Sequence, residues 1–387
     1  TGGGGSAAPS EEPESEAPAS EAASEAPASA AASEAPTGLA ACGDPEAGDA
    51  LLVGGVTDVG QLEDKSFNEG GWCGTIMGAD AVGGSAEVIV TEDPADYQNN
   101  IQTFIDQGFD VIVTYGFALG TDTAIAAKAN PEVQFIGLDQ SICIDENADP
   151  DPTFTCAGDA AALLPNYQGL VFNEAQAGYL AGIAAASITE TNVIGTIGGI
   201  NTIPAVLSYI GGYVNGAKSV NPDVEVLISY VSDDITTAFN DPTTGASLAE
   251  QMIGQDADVI FQVAGLSGQG ALEAACDADV YGIGVDVDQA LALPDLTCIV
   301  TSAEKKLVEG VSEAIQRVAD GSSVGGTLIL DAAQDPPKVA VSPFHNHPDL
   351  LTDELQTLLD DATAAMASGD IDPCAGEGVC GPPFEQD

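Results

Sequence analysis

From about residue 50 onward, short apolar runs alternate with longer one-sided stretches. The runs at 51–56, 86–91, 110–115, 133–138, 193–197, 224–230, 258–263, 280–285 and 297–301 are rich in Val and Ile and bounded by polar residues, which marks them as strands. Segments with helical spacing lie between most of them. In 95–107, Tyr97, Ile101, Phe104 and Ile105 fall on one face, and in 303–320 Leu307, Val311, Ile315 and Val318 do the same. Strands that are apolar almost throughout, separated by amphipathic helices, predict parallel sheets covered on both faces. The expected fold class is α/β.

The alternation stalls at 140–168, "QSICIDENADPDPTFTCAGDAAALLPNYQ", and then resumes, so this polar, Cys-bracketed stretch reads as the first passage between two lobes. In open parallel sheets ligands bind beyond the carboxyl ends of the strands, so two facing lobes would line one cleft. Those ends carry Asp58 and Ser66-Phe67-Asn68, then Tyr115-Gly116-Phe117, Asp139, Gly198-Gly199, "AGLSGQG" (264–270), "VDVDQ" (285–289), Thr301-Ser302 and Lys305. A single Asp at a strand–helix junction is as readily an N-cap, and a single Phe is more readily core. The recurrence of acids, amides and aromatics on one side points instead to a cleft for a neutral, flat, polar ligand. Aromatic faces would hold a ring, and carboxylates would accept from hydroxyls.

Several spaced motifs carry a family resemblance: TDVG…DKSFN (57–68), VFNEAQAGYLAG (171–182), IGTIGGINTIP (194–204), IGGYVNGAKSVNP (210–222), FNDPTTGASLAEQMIGQDADVIFQVAG (239–265), IGVDVDQ (283–289) and TSAEKKL (301–307). From about 50 to 371 the chain resembles the basic membrane protein family, the PnrA-like substrate-binding lipoproteins of ABC-type nucleoside importers. The resemblance implies a type I periplasmic-binding fold, two Rossmann-like lobes joined by three crossovers, with a nucleoside held in the cleft. It implies an ABC permease as membrane partner, no cofactor or metal, and a monomer that binds without chemistry. Carried over by motif, the binding residues are Asp58, Phe67, Asn68 and Asp139 from the first lobe, Phe239, Gly265 and Asp286 from the second, and Lys305 from the returning segment; Tyr115 joins them as a strand-end residue. Phe67 and Phe239 would sandwich the base, and Asp286 and Lys305 would meet the ribose. The expected division is a tether over 1–45, a first lobe over 46–165 with 298–322 returning to it, a second lobe over 166–297 with 323–371 returning to it, and a Cys-containing tail over 372–387.

Composition narrows the partners. The chain has 387 residues, 44% of them hydrophobic, enough for two cores. Its 61 acidic residues against 7 Lys+Arg give a formal net charge of -54, which argues against nucleic acid and anionic lipid. Such a surface suits high salt or low pH, and so few cations match a nucleoside better than a nucleotide. Eight cysteines lack any CxxC spacing; Cys143/Cys156 and Cys374/Cys380 bracket short loops, and Cys276/Cys298 and Cys42/Cys73 complete an expected disulfide set. Disulfides imply an oxidising, extracytoplasmic setting. Residues 1–36 are almost wholly Gly, Ala, Pro, Ser and Glu with a recurring SEAP unit, which predicts a disordered, self-repelling spacer. The opening TGGGGSAAPS has neither a basic start nor an apolar core, so no signal peptide is expected in it, and the lipidated Cys of the family is implied rather than seen.

Two other functions compete. A surface receptor or sensor for a sugar or signalling molecule would use the same lobes. A nucleoside hydrolase would need clustered carboxylates around a metal, for which "DVDQ" and "SDD" (232–234) are thin material. The "HNH" at 345–347 reads as exposed loop histidines, and "DENADPDPT" (145–153) lacks the Gly and terminal Glu of an EF-hand.

Overall fold

The computed structural model describes residues 1–3 and 42–381. Most of the expected spacer, and tail residues 382–387, lie outside the described residues. The first half runs β1 (Leu52–Thr57), α1 (Phe67–Ala81), β2 (Ser85–Ile89), α2 (Tyr97–Gln107), β3 (Val111–Tyr115), α3 (Gly120–Ala129), β4 (Gln134–Leu138), α4 (Ala160–Leu163), β5 (Tyr167–Phe172) and α5 (Glu174–Ile188). There follow β6 (Val193–Gly198), α6 (Pro204–Val220), β7 (Glu225–Tyr230), α7 (Ile235–Ala238), α8 (Pro242–Ile253), β8 (Val259–Val263), α9 (Gly265–Asp277), β9 (Tyr281–Asp286) and α10 (Gln289–Ala292). The chain closes with β10 (Ile299–Lys305), α11 (Leu307–Asp320), β11 (Gly326–Leu330), β12 (Val339–Val341) and α12 (Asp353–Ser368).

These strands build two six-stranded sheets, ordered β11-β5-β4-β3-β1-β2 and β12-β10-β9-β8-β6-β7. Strand for strand the two orders correspond, β1 with β6, β3 with β8, β4 with β9 and β5 with β10. Among the named strands only β12 runs antiparallel to its neighbour, β10. Central strands such as β3 and β8 are buried along their whole length, as sheets covered on both faces require. The α/β two-lobe class expected from the apolar runs is the class observed.

Three segments change lobe relative to the expected boundaries. β5 pairs with β4 in the first sheet, β10 pairs with β9 in the second, and β11 pairs with β5 in the first. Each lobe completes its fifth strand before the chain leaves, and the helix after that strand makes the crossing. Thus α5 packs on α6, β10 and β12, while α11 returns to pack on α1. β5 escapes a reading by apolar runs because Gln168 and Gly169 interrupt it; Gln168 is buried and paired to Arg317 and the Val324 carbonyl. Nor is 140–168 a passage between lobes. It is an excursion closed by the Cys143–Cys156 disulfide that returns to its own sheet.

The α5–α6 contact is glycine-made: a Cβ on Gly178 would stand 2.1 Å from the Tyr209 carbonyl oxygen, and one on Gly216 1.9 Å from that of Tyr179. Cys276–Cys298 and Cys374–Cys380 form as expected, but no disulfide joins Cys42 to Cys73. Their side chains hydrogen-bond instead, which holds the Cys42 thiol below its usual range and pushes Cys73 up. No helix among the described residues is long and apolar enough to cross a membrane.

Candidate ligand-binding cleft

Loops from the carboxyl ends of both sheets line one cavity of about 690 Å³, its open mouth included. The first lobe supplies Asp58, Val59 and Gly60 after β1, Asp64, Phe67 and Asn68 around the start of α1, Gly116 and Phe117 after β3, and Asp139 after β4. The second supplies Ile203, Ala205, Val206 and Tyr209 around the start of α6, Phe239 before α8, Val263, Ala264 and Gly265 at the end of β8, Asp286 on β9 and Lys305 on β10.

Lys305 is the centre of the charge pattern, with only 3% of its surface exposed. Its Nζ donates to Asp139 Oδ2 at 2.6 Å and lies 3.4 Å from Asp286 Oδ1 and 3.6 Å from Glu174 Oε1. The Phe67 ring centroid is 4.8 Å from the same nitrogen, a cation–π distance. Burial works against the ammonium, but the carboxylates of Asp139, Asp286 and Glu174 outweigh it and hold its pKa above the ordinary value. Burial pushes Glu174 up to about 8, with Asp139 adding and Lys305 opposing. Burial also raises Asp139 against the pull of Lys305, and lifts Asp58 to about 7 although the Val59 and Ala118 amides favour its ionised form. One cation is therefore shared among several acids, leaving no positive charge for a phosphate.

Asp139 and Asp286 both have left-handed backbone, φ 56° and 66°. Such backbone costs a non-glycine residue about 1–3 kcal/mol and concentrates at ligand sites. They follow or end β4 and β9, corresponding strands of the two sheets, so the repeated topology brings one acid from each lobe to the same lysine. Two further bonds cross between lobes: Ser66 Oγ donates to Asp286 Oδ2 at 2.8 Å, and Gln289 Nε2 to the Lys65 carbonyl at 3.0 Å. Lobes joined at these points are in a closed arrangement.

Within the cavity lining, Asn68 Oδ1 and Asp139 Oδ1 are buried without a hydrogen-bond partner among the described residues. Asn68 Nδ2 is already committed to the carbonyls of Val59 and Gln61. An unmatched buried acceptor costs about 1–3 kcal/mol, so both oxygens are set to accept from a ligand N–H or O–H.

The family model for "ABC transporter substrate-binding protein PnrA-like" matches residues 51–360. The chain belongs to that family. It is 30% identical over 293 residues to the ABC transporter nucleoside-binding protein BmpA of Lactococcus lactis, covering 71% of this chain and 76% of the relative. Basic membrane protein A of Borreliella burgdorferi is 28% identical over 81% of this chain and 84% of its own length. Among solved structures, an ABC transporter solute-binding protein of Aeropyrum pernix superposes with TM-score 0.71 at 22% identity, covering 83% of this chain and 92% of that one. A D-allose-bound periplasmic solute-binding protein of Actinobacillus succinogenes shares the fold with TM-score 0.57 at 15% identity, over 77% of this chain and 99% of that one. The family is one of ABC transporter substrate-binding proteins, so this PnrA-like chain binds its substrate rather than transforming it.

Of the residues expected to line the cleft, the structure brings together Asp58, Phe67, Asn68, Asp139, Phe239, Gly265, Asp286 and Lys305. Tyr115 is not among them. Its hydroxyl pairs with Thr75 Oγ1 at 2.8 Å beneath α1, fully buried, and the ring that reaches the cavity is Phe117. Strand alternation alone would put both rings on one face; β3 ends at Tyr115, and Gly116 (φ 107°) turns the chain between them. Glu174, Tyr209 and Asp64 were not singled out from the sequence. Asp64 accepts from the amides of Ser66, Asn68 and Glu69, so it shapes the loop rather than the ligand surface. Tyr209 Oη donates toward Asp286 Oδ1 at 3.4 Å and the Ala303 carbonyl at 3.3 Å.

Asp286 and Asp288 diverge, the first to Lys305 and the second to His345 Nε2 at 2.7 Å. His347 turns to the Thr297 carbonyl, and no group of three or more His, Cys, Asp or Glu among the described residues could hold a metal.

Proposed function

We propose that this chain captures a nucleoside, a purine nucleoside by preference, between its lobes and delivers it to an ABC permease. The observation that carries this reading is the Lys305 cluster beside aromatic rings. Asp139, Asp286 and Lys305 offer acceptors and one donor to ribose hydroxyls, while Phe67 and Phe239 present flat faces to the base. Asn68 Oδ1 and Asp58 would read the base edge, and Gly265 (φ 53°) admits a close backbone approach. The name of the Lactococcus relative supports the ligand class. The setting is extracytoplasmic, as for ABC substrate-binding proteins generally, and three disulfides accord with it. A lipid anchor, a spacer over 1–45 and a monomeric state complete the proposal.

Equilibrium dialysis of nucleosides against their 5′-monophosphates tests the charge argument. A phosphate would meet carboxylates with no spare cation, a like-charge contact costing several kcal/mol, so the nucleoside should bind at least about a hundredfold tighter. Equal or tighter binding of the monophosphate would contradict the reading.

A further inference from the structure

The described part of the C-terminal tail grips the helix that carries part of the apolar side of the cleft. Helix α6 presents two sets of close contacts. Gly212 and Gly216 meet α5, and Gly211 and Asn215, one turn apart, meet the tail. A Cβ on Gly211 would lie 2.7 Å from the backbone nitrogen of Cys380, and one on Gly378 would lie 2.2 Å from the Gly211 carbonyl oxygen. Asn215 is buried and uses both ends of its amide on the tail. Its Nδ2 donates to the carbonyls of Pro373 (2.9 Å) and Gly378 (3.2 Å), and its Oδ1 accepts from the Gly378 amide at 2.7 Å. Beyond the disulfide the chain reaches the first residue of the helix, where a Cβ on Gly381 would stand 2.7 Å from the Pro204 carbonyl oxygen.

The tail thus runs back along α6 from Asn215 to Pro204, with Cys374–Cys380 closing the segment that Asn215 reads. At that end of α6, Ala205, Val206 and Tyr209 line the cavity, and Tyr209 reaches Asp286. Tyr209 and Tyr213 anchor α6 on the Phe261 side, Gly212 and Gly216 seat it against α5, and the tail adds a further fixed contact at Gly211, Asn215 and Pro204, where interiors this close-packed leave little room for a shift. We infer that the disulfide-closed tail is a clamp that positions the first turn of α6, with Asn215 as its positioning residue, and thereby sets affinity at the cleft. The affinity part rests on the nucleoside reading; the positioning part does not.

The test uses the full chain with Asn215→Ala and, separately, Cys374→Ser with Cys380→Ser. Amide hydrogen exchange is followed at 207–210 and, as internal reference, in β1 and β3, together with nucleoside affinity well below the unfolding temperature. The clamp predicts exchange at 207–210 about tenfold faster with the reference strands unchanged, and binding weakened about five- to tenfold. A merely stabilising tail would lower the unfolding temperature while leaving both local exchange and affinity as in the parent, and that result overturns the inference. Faster exchange with unchanged affinity overturns the part that concerns binding. If the parent binds no nucleoside, the nucleoside reading fails and the exchange data alone decide the clamp.

Discussion

The two lobes furnish the cleft with unequal material. The first contributes Asp58, Asp64, Asn68 and Asp139, together with Phe67 and Phe117; the second contributes mostly apolar surface, Ile203, Ala205, Val206, Phe239, Val263 and Ala264, with Asp286 and Lys305 at its inner end. Among the described residues of the cavity lining, the unmatched acceptors lie on the first lobe, and the single cation comes from the second. A ligand that needs both kinds of surface is held fully only when the lobes are closed. Lys305 is the piece of each lobe's chemistry that the other lacks: it answers Asp139 across the cleft while sharing its charge with Asp286 and Glu174. Closure with ligand bridging the lobes therefore has a specific electrostatic anchor.

The most severe way to break this comparison is to remove that anchor. Lys305→Met leaves buried carboxylates without their cation, a change that typically costs about 3–5 kcal/mol. Urea denaturation should show a loss of that order, and binding should vanish. A stable, binding-competent variant would show that the cluster is incidental.

Next in size is the second lobe's flat face. Phe239→Ala should weaken nucleoside binding by about 1–3 kcal/mol, the usual worth of one base–aromatic stack, with little change in stability because the ring is half-buried. If affinity held while stability fell, Phe239 would be a packing residue against Gly199, where a Cβ would stand 2.5 Å from its ring.

The buried acids around the Lys305 cluster and the cleft should be visible in the pH dependence of stability. Asp58 sits at about 7 and Glu174 at about 8 in the folded protein, whereas unfolded side chains titrate near about 3.9 and 4.3. The folded state then holds protons that the unfolded chain has released, so stability falls as pH rises from about 4 toward 8. Denaturation midpoints in molar salt, which screens the acidic surface, should be higher near about pH 5.5 than near about pH 8. Asp58→Asn should flatten the slope. A midpoint that climbs with pH would mean these acids are ionised and well matched in the fold.

The smallest effect is expected at Tyr115→Phe. It removes one hydrogen bond to Thr75 at a net cost of about 1 kcal/mol and should leave affinity unchanged. Weakened binding would return Tyr115 to the site.

Much of this architecture was legible as pattern. Nine apolar runs became strands, and the central ones, such as β3 and β8, are buried throughout and leave no alternation to confuse with helix. Most cleft residues were legible because they follow those runs directly. What stayed hidden depended on three-dimensional partners. β5 was obscured by Gln168, a polar residue whose burial depends on distant Arg317 and Val324. Glu174 stands in the quoted VFNEAQ motif, yet nothing local says that its carboxyl faces Lys305, which lies far along the chain. Tyr115 and Phe117 differ only by one turn of backbone at Gly116. The lobe boundaries were misplaced because the crossing is made by helices, whose sequence does not state which sheet they cover.

The most direct measurement is a calorimetric titration of refolded protein, stripped of carried-over ligand, with adenosine, guanosine, inosine, cytidine and uridine at low and molar salt. The account predicts saturable one-to-one binding, tighter for purines and nearly independent of salt because the cluster is buried. The absence of saturable heat with every nucleoside, in folded protein at both salts, would contradict it.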